Sequence, residues 1–203
     1  MSRACLDPDS MRGPALVTCA YFLVYYAFMV LQLKTRSAAM ERARAAGVSI
    51  AEGKTFATDA GDDAGARMGE RTFLNTLEQM GTFLCSLWMC SAFVSAELAT
   101  ILGGTAVISR AFFPLLWSMG KGGAWSWRVE LSTQPYYVCV LGMLGVTGIW
   151  AITGVNVAVT FSTMAVIGTV MGCYAFTFAL SFAVGTMLHS WTHGVYEQHS
   201  KVN

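Results

Sequence analysis

Between Leu131 and Tyr196 the chain carries no Asp, Glu, Lys or Arg. An uncharged apolar tract of this length is accommodated by a lipid bilayer. About 20 helical residues, rising 1.5 Å each, cross a hydrocarbon core of roughly 30 Å. The tract is too long for one crossing and suits two. Gly154-Val155-Asn156 is the natural break, which places spans at 134–153 and 157–188. Upstream, the uncharged run Pro14–Leu33 predicts a first span. A second is expected from about Met68 to Ser95. A third follows from about Leu98 to Met119, with Glu97 at the turn between them. The predicted fold class is therefore all-α: an integral membrane helical bundle of four helices with a fifth, C-terminal one. Charged residues make up 12% of the chain, against about 25% in soluble domains. The net charge of +1 argues against a nucleic-acid partner.

The polar residues fall into a few segments. Residues 34–69 form the one sizeable polar loop, with helical composition over Ser37–Ala46 and a Gly61-Asp-Asp-Ala-Gly65 turn. A Gly-rich loop, 120–132, holds Lys121, Arg128 and Glu130. With five spans, both loops and the C-terminus share one side. That side carries Lys34, Arg36, Arg42, Arg44, Lys54, Arg67, Lys121, Arg128 and Lys201; the other carries Arg3 and Arg12. Basic residues concentrate on the cytoplasmic side. The N-terminus is expected in the lumen and the C-terminus in the cytosol of an endoplasmic reticulum or other organelle membrane, with matrix or stroma taking the place of cytosol in mitochondria or plastids. Five of the six cysteines lie in apolar runs and read as packing residues. No metal site is expected, although His189 and His193 stand i, i+4 in the tail. Small residues at Gly142, Gly145 and Gly148, and a GxxxG at Gly168 and Gly172, suit close helix approach in lipid.

One constellation points to chemistry. Arg71, Asn75 and Glu78 stand at i, i+4 and i+7, so on a helix they share a face. Ionisable residues within a span are costly and mark a bundle interior or an aqueous cavity. Glu70 is expected in water at the helix start. Arg110 lies well inside the third span and needs an anion, with Glu78 the obvious intramembrane partner. An antiparallel hairpin turning at Glu97 leaves the two offset by about six residues, roughly 9 Å of rise, for a long arginine to close.

The segment Arg71-Thr-Phe-Leu-Asn75-Thr-Leu-Glu78 resembles the RxxxNxxE stripe on the second helix of the MAPEG family, the membrane-associated proteins of eicosanoid and glutathione metabolism. The arginine-bearing third span, Ile108-Ser-Arg110-Ala-Phe112-Phe113, is also similar. The architectural resemblance covers about residues 1–153, leaving 154–203 as an added helix and tail; the motif resemblance covers Arg67–Trp117. It implies a four-helix protomer, a homotrimer, and glutathione bound between subunits near the cytosolic side. Carried onto this chain, Arg71 pairs with a glutathione carboxylate, Asn75 bonds the peptide backbone and Glu78 accepts from the amino group. Lys34 and Arg36 take the family's further basic role at the end of the first helix, and Arg110 joins the binding set. A neighbouring cation must lower the thiol pKa; Arg128 is the candidate, then Lys121.

The implied activity is a membrane-bound glutathione transferase or peroxidase acting on lipophilic substrates. The alternative is a non-catalytic accessory subunit of a larger membrane complex. Three departures from the family pattern motivate it. Gln79 stands where an aromatic is frequent, Phe113 and Trp117 stand where tyrosines are usual, and the fifth helix is additional and could cover the trimer surface. The absence of an internal repeat argues against a secondary transporter.

Overall fold

A computed structural model describes residues 8–47, 63–120 and 126–200, the side chains of 189–200 excepted. Lys54, Lys121 and the three histidine side chains lie outside the described set. Every regular element among the described residues is helical: α1 (Arg12–Ala45), α2 (Ala64–Phe93), α3 (Ala96–Ala111), α4 (Phe113–Ser118), α5 (Trp127–Thr153), α6 (Val157–Thr160) and α7 (Thr163–Ser200). The protein is an all-α, multi-pass integral membrane bundle. Four segments are long and apolar enough to cross a bilayer: Arg12–Ala45, Ala96–Ser118, Trp127–Thr153 and Thr163–Leu188.

α2 is not in that set, yet its neighbours carry it through the same thickness. Near its start, a Cβ on Gly69 would lie 2.1 Å from Thr35 Oγ1 and 3.1 Å from Gln32 Cα, so α1 and α2 touch almost backbone to backbone. At its far end α2 turns through Val94 and Ser95 directly into α3, whose second turn packs Thr100 on Gly13 of α1. One end of the bundle therefore gathers the end of α1, the start of α2, α4 and the start of α5. This is the loop end.

Several boundaries differ from expectation. The first helix does not stop at Leu33; it continues for 34 residues in all, because Lys34–Ala45 is rich in good helix formers. Two ion pairs hold this extension against α2. Arg36 Nη2 lies 2.9 Å from Glu70 Oε1, and Arg42 Nε and Nη2 lie 3.1 and 2.8 Å from Asp63 Oδ2. Glu70 is thus ion-paired. The third span breaks at Phe112, because Pro114 has no N–H to continue a ladder and suits the first turn of α4. α5 starts at Trp127, about two turns earlier than expected. Gly154 does end it, in the left-handed conformation at φ 72°. Asn156 then caps α6 by accepting from the Ala158 amide, and its Nδ2 donates 2.8 Å to the Val94 carbonyl at the end of α2.

α3 and α5 are tied by a reciprocal pair: Ser109 Oγ donates to the Ser132 carbonyl (2.5 Å) and Ser132 Oγ to the Ser109 carbonyl (2.6 Å). α7 returns mainly along α5. Gly142 and Gly145 make room there for Val170 and Cys173. Gly168 and Gly172, expected to mediate packing, meet nothing among the described residues. The hydrophobic core, centred on Tyr21, Phe83, Leu87, Ala106, Tyr136 and Met143, lies among α1, α2, α3 and α5.

Asp63 is the N-cap of α2, accepting from the Ala66 amide at 2.9 Å. That bond first, and the Arg42 guanidinium next, hold its carboxyl below the usual carboxylate value. A carboxyl depressed in the fold stabilises above its unfolded pKa, and the stabilisation is lost as pH falls through the folded one. The protection of the first-turn amides of α2, taken as hydrogen exchange relative to the intrinsic rate at each pH, is therefore expected to fall on acidification. Asp63→Ala should cost that turn about 1 kcal/mol and abolish the acid dependence. Unchanged exchange in the variant would refute the cap.

Candidate functional site

The stripe exists, and it faces outward. Thr72, Thr76, Phe83, Leu87 and Cys90 form the buried side of α2, whereas Arg71 and Glu78 are exposed and Asn75 is half-exposed. Of the two surroundings expected for the stripe, a bundle interior or an aqueous cavity, it does not turn into the interior of its own bundle. Interior spacing on α2 is also i, i+4, i+7, but it is set by the residue after each stripe member. Among the described residues, neither the Arg71 nor the Glu78 side chain has an ionic partner in the protomer. Gly69 sits level with the end of the apolar run on α1. Arg71 therefore lies about 3 Å and Glu78 about 13 Å further into the membrane, at 1.5 Å per residue.

Arg110 does not pair with Glu78. Its side chain is 0% exposed, and its Nη2 donates 2.6 Å to Gln79 Oε1. The guanidinium carbon lies 4.1 Å from the centroid of the Tyr136 ring and 5.4 Å from that of Phe113. The direction of the side chains decides against the expected pair, because Glu78 is exposed and Arg110 is buried. A neutral amide and two aromatic faces replace the expected carboxylate, a cation–π arrangement that strengthens on desolvation. Among the described residues, Arg110 Nε and Nη1 have no hydrogen-bond partner. Arg110 is thus a buried group within the protomer and does not reach the outer face, contrary to its expected place in the binding set.

Gln79 carries the polar contact outward. Its Nε2 donates to Asn75 Oδ1 at 3.0 Å and to Tyr137 Oη at 2.5 Å. Sequence reasoning noted Gln79 only as a departure from the family and missed Tyr137. The available signal was a pair of polar side chains, each inside an otherwise apolar span. Phe113 and Trp117, where family tyrosines were expected, are buried with Val129 in a small cluster against Met68. They pack the interior and do not line the stripe.

The basic candidates separate. Arg36 is mostly buried and engaged by Glu70, so it is not free for the role expected of it. Lys34 is exposed at the same level. Arg128 is exposed at the start of α5, where one nitrogen donates 2.8 Å to the Met119 carbonyl at the end of α4. Lys121 falls outside the described residues. α7 lies against α5 and leaves the outer face of α2 open, so the fifth helix does not cover the stripe. Among the described residues no cluster of His, Cys, Asp and Glu could hold a metal.

No curated protein and no solved structure matches the chain. A profile of the MAPEG family matches residues 14–149, which takes in nearly all of α1 through α5, the outward stripe and the Arg110 network. The chain belongs to the MAPEG family.

Proposed function

We propose that this protein is a membrane-bound glutathione transferase or peroxidase that takes lipophilic substrates from the bilayer and glutathione from the loop end. The carrying observation is the outward stripe of Arg71, Asn75 and Glu78, two of them charged, at membrane depth and without an ionic partner among the described residues of the protomer. A charged side chain facing lipid at mid-helix costs about 2.5–3.5 kcal/mol. A second copy and a polar ligand covering the face remove that cost, which favours a homo-oligomer, a trimer by family habit. Glutathione has two carboxylates and one ammonium, and the stripe offers the complementary charges. Arg71 takes a carboxylate through its fork, Asn75 a backbone group and Glu78 the ammonium. Lys34 supplies further positive charge. Residues 1–153 form the glutathione-handling unit, and 154–203 an addition to it.

Arg128 is the proposed thiol-activating cation, with Lys121 second. Basic residues cluster at the loop end, which we place in the cytosol, or in the matrix or stroma of an organelle. The test is equilibrium glutathione binding to detergent-purified protein, with ultraviolet absorbance reporting thiolate. The wild type is expected to bind and to form thiolate. Arg128→Ala is expected to keep binding within about threefold while losing most of the thiolate signal; undiminished thiolate would move the role elsewhere. A second reading, a non-catalytic accessory subunit, is favoured by α7, which is exposed over most of residues 163–188 and lies beyond the family-matched residues. No binding at millimolar glutathione, with fixed partners co-purifying, would establish that reading instead.

A further inference from the structure

Arginine has five N–H donors and no acceptor. A hydrogen-bond chain that starts on a buried arginine therefore has its polarity fixed from that end. Arg110 Nη2 donates to Gln79 Oε1, which leaves the Gln79 amide hydrogens to donate, one to Asn75 Oδ1 and one to Tyr137 Oη. Each receiving group then has its hydrogens left over. Asn75 keeps both N–H groups of Nδ2, Tyr137 keeps its O–H, and among the described residues neither finds an acceptor. Asn75 is half-exposed on the stripe, and Tyr137 on α5 is half-buried beside it. The interior cation is thus converted, through one neutral amide, into hydrogen-bond donors at the outer face.

We infer that Gln79 is the positioning residue of the ligand site. Under the reading above, on which this inference rests, Gln79 holds Asn75 and Tyr137 as donors, so that both address acceptor atoms of bound glutathione: a peptide carbonyl, a carboxylate or the thiolate. Tyr137 then supplies the hydroxyl that Phe113 and Trp117 cannot. The arrangement depends on Gln79 being able to accept on one atom and donate on the other. A carboxylate at the same place accepts only.

Gln79→Glu tests this. The new carboxylate is held ionised by Arg110 and preserves the buried contact, so the unfolding temperature in detergent should equal or exceed that of the wild type. It requires donors from Asn75 and Tyr137, which turn both groups inward. Glutathione affinity is expected to fall about tenfold or more. Tyr137→Phe removes one donor without touching Asn75 and should lower affinity less, while reducing thiolate absorbance if the hydroxyl meets sulfur. Wild-type affinity in Gln79→Glu would overturn the inference while leaving the glutathione reading intact. If the wild type itself binds no glutathione, the functional reading fails and the ligand assignment fails with it. The polarity is still decided without ligand, from the phenol C–O stretch of Tyr137 isolated by infrared difference against Tyr137→Phe. The wild type should show an accepting hydroxyl and Gln79→Glu a donating one. The same band in both proteins would overturn the chain.

Discussion

Gln79→Leu is expected to lower the stability of the folded protein by about 3–5 kcal/mol, the usual consequence of removing the partner of a buried charge. Arg110 is fully buried and donates a hydrogen bond to the Gln79 side-chain oxygen. Leucine removes this acceptor from the guanidinium, and leaves Asn75 and Tyr137 without their donor. The double variant Gln79→Leu/Arg110→Met should recover most of the loss. Replacing both members of a buried polar pair with apolar groups of similar volume is often close to neutral. Denaturant unfolding in one detergent, comparing wild type, single and double variants, measures both effects. A single variant as stable as the wild type would mean that another acceptor serves Arg110. A double variant as unstable as the single would mean that packing, and not the uncompensated charge, dominates.

Arg71→Ala is expected to weaken glutathione binding by about 1.5–3 kcal/mol, or roughly ten- to 150-fold, the range for a hydrogen bond to a charged group. Arg71 is exposed on the stripe and has no ionic partner among the described residues, so its removal leaves no internal contact broken. Arg71→Lys should restore only part of the affinity, because an ammonium cannot make the two parallel bonds of a guanidinium. Arg44→Ala, at the exposed end of α1, should change binding little. Isothermal titration on the detergent-solubilised protein distinguishes these. Equal losses in Arg71→Ala and Arg44→Ala would reduce the stripe to a general electrostatic attraction.

The bilayer crossings were legible in the sequence, because an uncharged run of sufficient length has few alternatives. The break at Gly154–Asn156 was legible too, from a glycine that ends one helix and an asparagine that caps the next. The direction of the stripe was not. On a soluble helix the apolar face points inward, but in a membrane both the lipid side and the protein side are apolar. Periodicity therefore shows that Arg71, Asn75 and Glu78 share a face without saying which way it turns. That ambiguity produced the mistaken Glu78–Arg110 pair. It also hid Gln79, which differs from Glu78 by one position and hence by about 100° around the helix. The break before Pro114 was readable from the proline itself. The continuation of α1 past Lys34 was masked by its charges, which are tolerated because that stretch extends beyond the apolar run and two of its arginines find carboxylates on α2.

The charges on α2 bear on how the chain enters the bilayer. Each of Arg67, Glu70, Arg71 and Glu78 opposes partition of this helix as a separate segment, by up to about 3 kcal/mol apiece at mid-span and less near the interface. Its neighbours offer what it lacks alone: Arg36 for Glu70, Tyr21 Oη on the Thr76 carbonyl at 2.8 Å, and a glycine-lined approach to α1. Membrane entry of α2 is thereby coupled to its docking on α1. The same side chains that prepare the outer face for a ligand make the second crossing a cooperative step in biogenesis, taken as a hairpin and not one helix at a time.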